Sequence, residues 1–495
     1  MASVTRSGLG QSLCIGMGGD IIAGTNMVDA LKVFEHDPET EGIVIVGEVG
    51  GRAEEDAAEW IKDYRKRVSN PKPIAALVGG IHAPPGRIMG HAGAWAARGE
   101  RLAAEKYKIL QDAGATMVDH PENFGGVMKT LLSQSGRDVK KITQNAQSQQ
   151  KRGYHTWRRR PSPMIRQSPA LPSQRRGLLL GKDQAPGVLK PYLSQAEGVS
   201  IASEEAPRDA FYVAITVDRT NRSPCIATSP TADADKLGSR VRRFPYDWRQ
   251  GPSDSDLKQA IEHAQLDAAP PAARAQVTAL VQALAKMYKE KEAVTLSGSI
   301  SIDSSGNLKL HQPSLVLQFD DAAYRSNKRQ EDIHALRRKE NEAPEEVEAE
   351  KDGIVFVKLD DPEANIGTLV NGAGLAMNTV DALRLHGGKA TNFLDTGGKA
   401  TSETVKKSFE LILQDPRVKV IFVNIFGGLT DGGMIANGIL LAFKEVDMKN
   451  VPVVVRIRGT NEEKGQKIIA ESGLSLEAFD GFAEAAKRVV EIANR

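Results

Sequence analysis

Cysteine is nearly absent: the 495 residues contain two, Cys14 and Cys225. Two thiols make no disulfide framework, so the chain points to a reducing compartment. It lacks any apolar run near the ~20 residues a membrane span needs. It also lacks an excess of charge of one sign, with 65 Lys and Arg against 63 Asp and Glu. A near-neutral balance gives no global field for nucleic acid or a membrane surface. The first dozen residues hold a single arginine and make a poor leader. These absences predict a soluble intracellular protein, and the length predicts three or so domains, each with its own core.

What is present is organised around two glycine-flanked stretches. Gly47-Glu48-Val49-Gly50-Gly51 follows the apolar run 42–46, and Ala83-Pro84-Pro85-Gly86-Arg87-Ile88-Met89-Gly90-His91-Ala92-Gly93-Ala94 follows the run 73–78. Both runs read as buried parallel strands, so both glycine stretches fall at the strand ends where open sheets bind ligands. A lone loop histidine is more often a turn residue than a nucleophile. Glu48 on a neighbouring strand end narrows that margin for His91, because a carboxylate fixes the tautomer of an imidazole.

Strands are expected at 13–16, 42–46, 73–78 and 115–118, with helices at 26–35, 53–68 and 95–112. This alternation predicts a doubly wound parallel sheet. The pattern recurs: Asp415-Pro416 precedes the apolar run 418–423 and Gly427-Gly428, as Asp37-Pro38 precedes 42–46 and Gly50-Gly51. A Pro-led strand follows each, at 73–78 and 452–455. Two halves of one architecture are expected to pair face to face, with His91 facing Gly427-Gly428. Between them, 139–182 carries eleven Lys or Arg and no acid, which predicts a disordered linker; its Arg/Ser-rich composition also resembles a transit peptide. Residues 209–229 read as two strands around a turn, and Val277, Leu280, Val281 and Leu284 mark the buried face of a helix.

The run Pro84-Pro85-Gly86-Arg87-Ile88-Met89-Gly90-His91-Ala92-Gly93-Ala94 resembles the active-site segment of the succinate–CoA ligase α subunit. The resemblance extends over about 9–127. It implies that His91 carries a phosphoryl group and that Glu48 supports it. From about 360 to 494 the chain is similar to the β subunit's C-terminal domain, through Val370-Asn371-Gly372-Ala373-Gly374-Leu375-Ala376-Met377, Asn392-Phe393-Leu394-Asp395-Thr396-Gly397-Gly398 and Val423-Asn424-Ile425-Phe426-Gly427-Gly428. It implies that Asn371, Gly428, Leu429 and Thr430 bind the organic acid. A helix starting after Gly427-Gly428 would present free amides to an anion; on the residues alone, such glycines are more often turns.

The chain departs from that family in three places. The CoA-binding domain has no counterpart, and Thr5-Arg6-Ser7-Gly8 runs straight into Leu9-Gly10-Gln11-Ser12. Residues 211–228 resemble part of an ATP-grasp domain, with Asp218-Arg219 in place, yet the family's catalytic carboxylate and magnesium ligands fall on Leu296, Gly298 and Ser314. The arginine after the β glycine loop is Asp431. The expected architecture is therefore α/β: two flavodoxin-like doubly wound domains flanking a partial ATP-grasp-like α+β region. The boundaries are 1–136 for the α-type ligase domain, 137–195 for a basic disordered linker, 196–352 for the ATP-grasp remnant and 353–495 for the β-type ligase domain. The expected function is acyl-CoA formation from a succinate-like acid, CoA and ATP or GTP through a phosphohistidine. Magnesium is implied by the family, though its ligands look lost and no metal site is assigned. The alternative is a non-catalytic relative that pairs with intact ligase α or β subunits or with itself. The family and the transit-like stretch point to the mitochondrial matrix, with the cytoplasm as the alternative.

Overall fold

The computed structural model describes the chain apart from residues 19–21, 85, 92, 97–98, 154–176, 195, 321–323, 325–328, 398–399 and 429, and apart from the side chains of 147–153, 177, 320 and 341. The first apolar runs become β1 (Ile43–Glu48) and β2 (Ile74–Gly79), joined by the short β3 (Thr116–Met117) in a parallel sheet of order β1-β2-β3. Alternation along β1 sends Ile43 and Ile45 to one face, against Met27, Leu31, Ala57 and Ile61 of the helices Met27–His36 and Ala53–Arg67. Val44 turns the other way, where Ala75 and Leu77 of β2 meet Phe124, Met128 and Leu132 of the helix Phe124–Gln134. Helices on both faces are what a doubly wound parallel sheet requires.

The last third builds a six-stranded sheet from β11 (Val355–Lys358), β12 (Ile366–Val370), β13 (Asn392–Asp395), β14 (Val420–Gly427), β15 (Val453–Gly459) and β16 (Leu476–Ala478). Its order is β11-β13-β12-β14-β15-β16, with β11 antiparallel and the rest parallel. Counted along the chain, the five parallel strands run 2-1-3-4-5, a doubly wound order. The repeat read from the sequence therefore maps β1-β2-β3 onto β14-β15-β16. Among the described residues the first sheet has no counterpart of β12 and β13.

That half-sheet corrects the strand expected at 13–16. In the complete sheet the outer strand bonds to a strand lying between it and the third; among the described residues the first sheet has no such intermediate strand, residues 13–16 form no strand and Leu13 is 45% exposed. The helix expected over 95–112 is likewise shorter, running Ala103–Asp112. Gly99 takes φ +86°, a left-handed turn no helix continues through, and Trp95 and Ala96 are buried in the loop before it.

The expected linker 137–195 is structured at both ends. Val139–Gly153 is helical, with Val139 and Ile142 packed on the Leu9–Phe124 cluster. β4 (Gly177–Leu180) and the helix Ala185–Leu193 belong to the middle unit, because Leu178, Leu180, Leu189 and Leu193 are core residues there. The rest, 154–176, lies outside the described residues. The middle sheet adds β5 (Val199–Ala202), β6 (Phe211–Asp218), β7 (Ser223–Ser229), β8 (Arg242–Pro245), β9 (Ala293–Ile302) and β10 (Leu308–Asp320). Its order is β4-β10-β9-β6-β7-β8, antiparallel throughout, with β5 parallel to β10 off that path. The middle unit thus begins near 177, not 196. The helix Pro271–Glu290 covers one face with Val277, Leu280, Val281 and Leu284, as their spacing predicted. Among the described residues no helix is long and apolar enough to cross a membrane.

One contact fixes the first unit on the third. Asp381, 4% exposed on the helix Ala373–Leu385, accepts the backbone N–H groups of Gly80, Ile81 and His82 at 2.8–3.0 Å, and its Oδ1 lies 2.9 Å from His82 Nδ1. The loop leaving β2, which carries His91, therefore starts from a pinned position.

Candidate active site

Both glycine stretches sit at the carboxyl ends of their strands. His91 Nε2 lies 3.1 Å from Glu48 Oε2, which unites the two residues that the sequence paired. His91 sits in a tight turn closed by Ala94 N–H to His91 O and Met89 N–H to Ala94 O, both 2.9 Å. Its Nδ1 is buried.

Glycine is demanded where these loops meet. Gly50 takes φ +94°, and a Cβ there would stand 2.3 Å from Trp95 O and 2.6 Å from Gly93 O. Gly90 takes φ +97°, and its Cβ would stand 2.3 Å from Cβ of Ala373, the first residue of the Ala373–Leu385 helix. The His91 turn is therefore pressed between the first glycine loop and the third unit.

Three long-range contacts add to this. Arg87 pairs with the buried Glu346, in the helix Pro344–Lys351. Arg219, in the turn between β6 and β7, donates from Nη1 to Gly93 O at 3.0 Å and lies over Gly51. Lys106, fully buried, reaches from the helix Ala103–Asp112 to the Glu48 loop.

His91, Glu48 and Arg219 line a cavity of about 800 Å³, which Asn371, Leu375, Phe426, His120 and Arg456 share. The His91 loop packs on the start of the Ala373–Leu385 helix, and Phe426, next to Gly427-Gly428, lines the same cavity as His91. Asn371 spends its amide on holding the second glycine loop. Its Nδ2 donates to Phe426 O at 2.9 Å and to Thr430 Oγ1 at 3.3 Å, while its Oδ1 accepts Phe426 N–H at 2.8 Å. Gly428 is exposed and Thr430 buried beside it; Leu429 lies outside the described residues.

The helix Gly432–Glu445 does start after that loop, but its first amides are already served. Asp431 is its N-cap, accepting Met434 N–H at 2.9 Å and bonding to Asn461. The Asn461 amide and then the Met434 N–H hold its carboxyl below the usual range. The substitution that looked like a reversed charge is also a cap.

Near the cavity wall His120 stacks on Phe482 with ring centroids 3.8 Å apart. Burial, reinforced by Arg456, lowers its pKa to about 3. In the middle unit, Gly298 sits inside β9 with Leu310 and Leu315 over it, and Ser314 Oγ is bonded to Ser299 N–H and His311 O. Among the described residues no three His, Cys, Asp or Glu side chains are grouped to hold a metal ion.

Comparison with known proteins gives the class first. Residues 1–116 and 369–490 match the CoA-ligase family model, so both glycine-loop units carry the same signature. The chain is 37% identical over 304 residues to the β subunit of ADP-forming succinate–CoA ligase from Paraburkholderia xenovorans, covering 60% of this chain and 74% of that one. It is 37% identical over 289 residues to the mitochondrial β subunit from Saccharomyces cerevisiae, covering 57% and 65%. Among solved structures, ATP citrate lyase from Methanothrix soehngenii, in complex with citrate and coenzyme A, aligns at 19% identity and TM-score 0.41, over 58% of this chain and 73% of that one. The chain belongs to the succinate–CoA ligase β-subunit family. It spans about two thirds to three quarters of the length of these two β subunits.

The sequence reading found His91, Glu48 and Asn371, which the fold gathers at one cavity. It missed Lys106, Glu54, Asp381 and His120. No local signal marks them, since each acts through partners distant in the chain.

Proposed function

We propose that the chain joins an α-type and a β-type CoA-ligase unit around a reduced ATP-grasp region, and that His91 is a phosphoryl carrier for an acyl phosphate of a succinate-like acid. The observation that carries this is the 3.1 Å contact between His91 Nε2 and Glu48 Oε2 at a cavity shared with Asn371. The 2-1-3-4-5 order supports a flavodoxin-like second unit, and the first unit keeps the 3-4-5 half.

In this reading an imidazole nitrogen attacks the phosphorus of the acyl phosphate. The bond to the acyl oxygen breaks and the carboxylate leaves, while Glu48 or solvent takes the ring proton. The ring lines the cavity with its side chain 29% exposed, Nε2 against Glu48 and Nδ1 buried. Asn371 holds Phe426 and Thr430, on either side of Gly428, in place for the acid's carboxylate.

Nucleoside triphosphate, ATP or GTP, and CoA are the family's co-substrates and come to this chain on that ground. Magnesium does not fit the positions the family offers: Gly298 has no side chain and leucines over it, and Ser314 is spent on the backbone. No step is routed through it. Those positions favour a second reading, a relative that depends on intact ligase α or β subunits, or on a second copy, for nucleotide-driven turnover. Mitochondrial relatives in yeast and tomato support the mitochondrial matrix.

The test is incubation with succinyl phosphate and detection of acid-labile, base-stable phosphate on wild type and His91→Ala. Label on wild type alone supports the carrier. Equal signals, or none, leave the dependent reading.

A further inference from the structure

We infer that Lys106 and Glu54 form a buried clamp that positions Glu48, and through it His91. The inference rests on the carrier reading for its chemistry but not for its geometry. Lys106 is fully buried, and the Glu54 side chain is 3% exposed. Nζ of Lys106 has three acceptors: Glu48 O at 3.1 Å, Gly50 O at 2.5 Å and Glu54 Oε2 at 2.6 Å. The other carboxylate oxygen, Glu54 Oε1, accepts Glu48 N–H at 3.0 Å.

The pair therefore grips the Glu48 residue from both of its peptide groups. The amide is held by Glu54 and the carbonyl by Lys106, which leaves Glu48 only its side-chain torsions with which to meet His91. Gly47 is part of the device, because a Cβ there would lie 2.5 Å from Glu54 Oε1. The third ammonium bond extends the grip to Gly50, whose backbone is pressed on Gly93 O and Trp95 O of the His91 turn. One ammonium thus fixes both things that touch the histidine's surroundings: the carboxylate partner, and the backbone against which the turn rests.

A purely stabilising role makes a different prediction. A buried ion pair is commonly replaced by well-packed apolar side chains without loss of stability, whereas losing one partner strands the other charge. If the pair serves only the core, Lys106→Met/Glu54→Met folds and His91 behaves as in the native chain. If it positions, the same variant folds and His91 does not. Lys106 and Glu54 act on His91 through the backbone of Glu48, so both are positioning residues and not catalytic ones.

The experiment uses the full chain. The ring nitrogen signals of His91, assigned by difference from His91→Ala in ¹⁵N-histidine-labelled protein, report its contact with Glu48. Expected is a displacement of those signals in Lys106→Met/Glu54→Met towards their positions in Glu48→Gln, with the melting temperature kept. Phosphoryl transfer from succinyl phosphate is expected to fall by about 100-fold, the scale of a lost orienting contact. Should the double variant not fold, Glu54→Gln serves: it keeps the shape, and a smaller displacement in the same direction is expected. Unchanged His91 signals in a folded variant overturn the clamp. Absence of labelling on the wild type defeats the carrier reading alone, because the ring signals still decide the clamp.

Discussion

Stability of the junction between the first and third units should fall as pH is lowered from 6.5, and His120 should be a main cause. Its neutral ring is stacked on Phe482, and Nδ1 accepts Glu122 N–H at 3.3 Å as the N-cap of the turn Pro121–Asn123. Burial holds the folded pKa at about 3 against an ordinary 6.5. The sign follows from proton counting: below 6.5 the unfolded ring binds a proton that the folded ring refuses, so the open state gains as pH drops. Between pH 8 and pH 5 this amounts to RT ln(1 + 10^1.5), about 2 kcal/mol. The comparison is His120→Asn, which keeps a capping oxygen near Nδ1 and cannot titrate. Losing the ring stack should cost it about 1 kcal/mol at every pH. Hydrogen exchange at amides of the helix Phe482–Ala493, corrected for intrinsic rates, reads the opening energy where it matters in a multi-domain chain. Wild type should lose about 2 kcal/mol more than His120→Asn between pH 8 and pH 5. Parallel pH curves for the two would refute the assignment.

Asp381→Ala should lower the opening energy of the same junction by about 3 kcal/mol or more, since it strands the N–H groups of Gly80, Ile81 and His82; a change under about 1 kcal/mol would show that water replaces the carboxylate. Gly90→Ala should leave the isolated sheets intact yet displace the His91 turn, because φ is +97° and the new methyl meets Ala373. Its phosphate labelling by succinyl phosphate should fall to the level of His91→Ala, and native labelling would contradict the packing described.

What the sequence showed well was whatever repeats at short range. Apolar runs of four to six residues before glycine pairs become β1, β2 and β14, and the i, i+3, i+4, i+7 pattern at Val277 becomes the buried face of a helix. The duplicated Asp-Pro–strand–Gly-Gly pattern mapped one sheet onto the other correctly. It overreached where a segment's state depends on a neighbour. Residues 13–16 carry strand composition, but a strand needs a partner, and among the described residues the half-sheet supplies none. The basic stretch around 139–182 looked unfoldable because charge was counted over the whole of it, while its ends carry the leucines and valines that pack.

The same logic explains why the surroundings of His91 were harder to see than His91 itself. Lys106 stands in Ala-Ala-Glu-Lys-Tyr-Lys-Ile-Leu-Gln-Asp, where two lysines and two acids read as a solvated helix face. Only the fold shows that one of those lysines points inward at two carbonyl oxygens of the Glu48 loop and at the Glu54 carboxylate. Glu54 is similar: in Ala-Glu-Glu-Asp-Ala-Ala it is one acid among three at a helix start, where acids favour the helix dipole anyway. An exposed charge and a buried clamp have the same local signature. They separate only when two strand ends and a distant helix are brought together. A sequence can therefore nominate a histidine and its carboxylate from two strand-end loops and a family resemblance, whereas the groups that hold the pair in register come from the assembled structure.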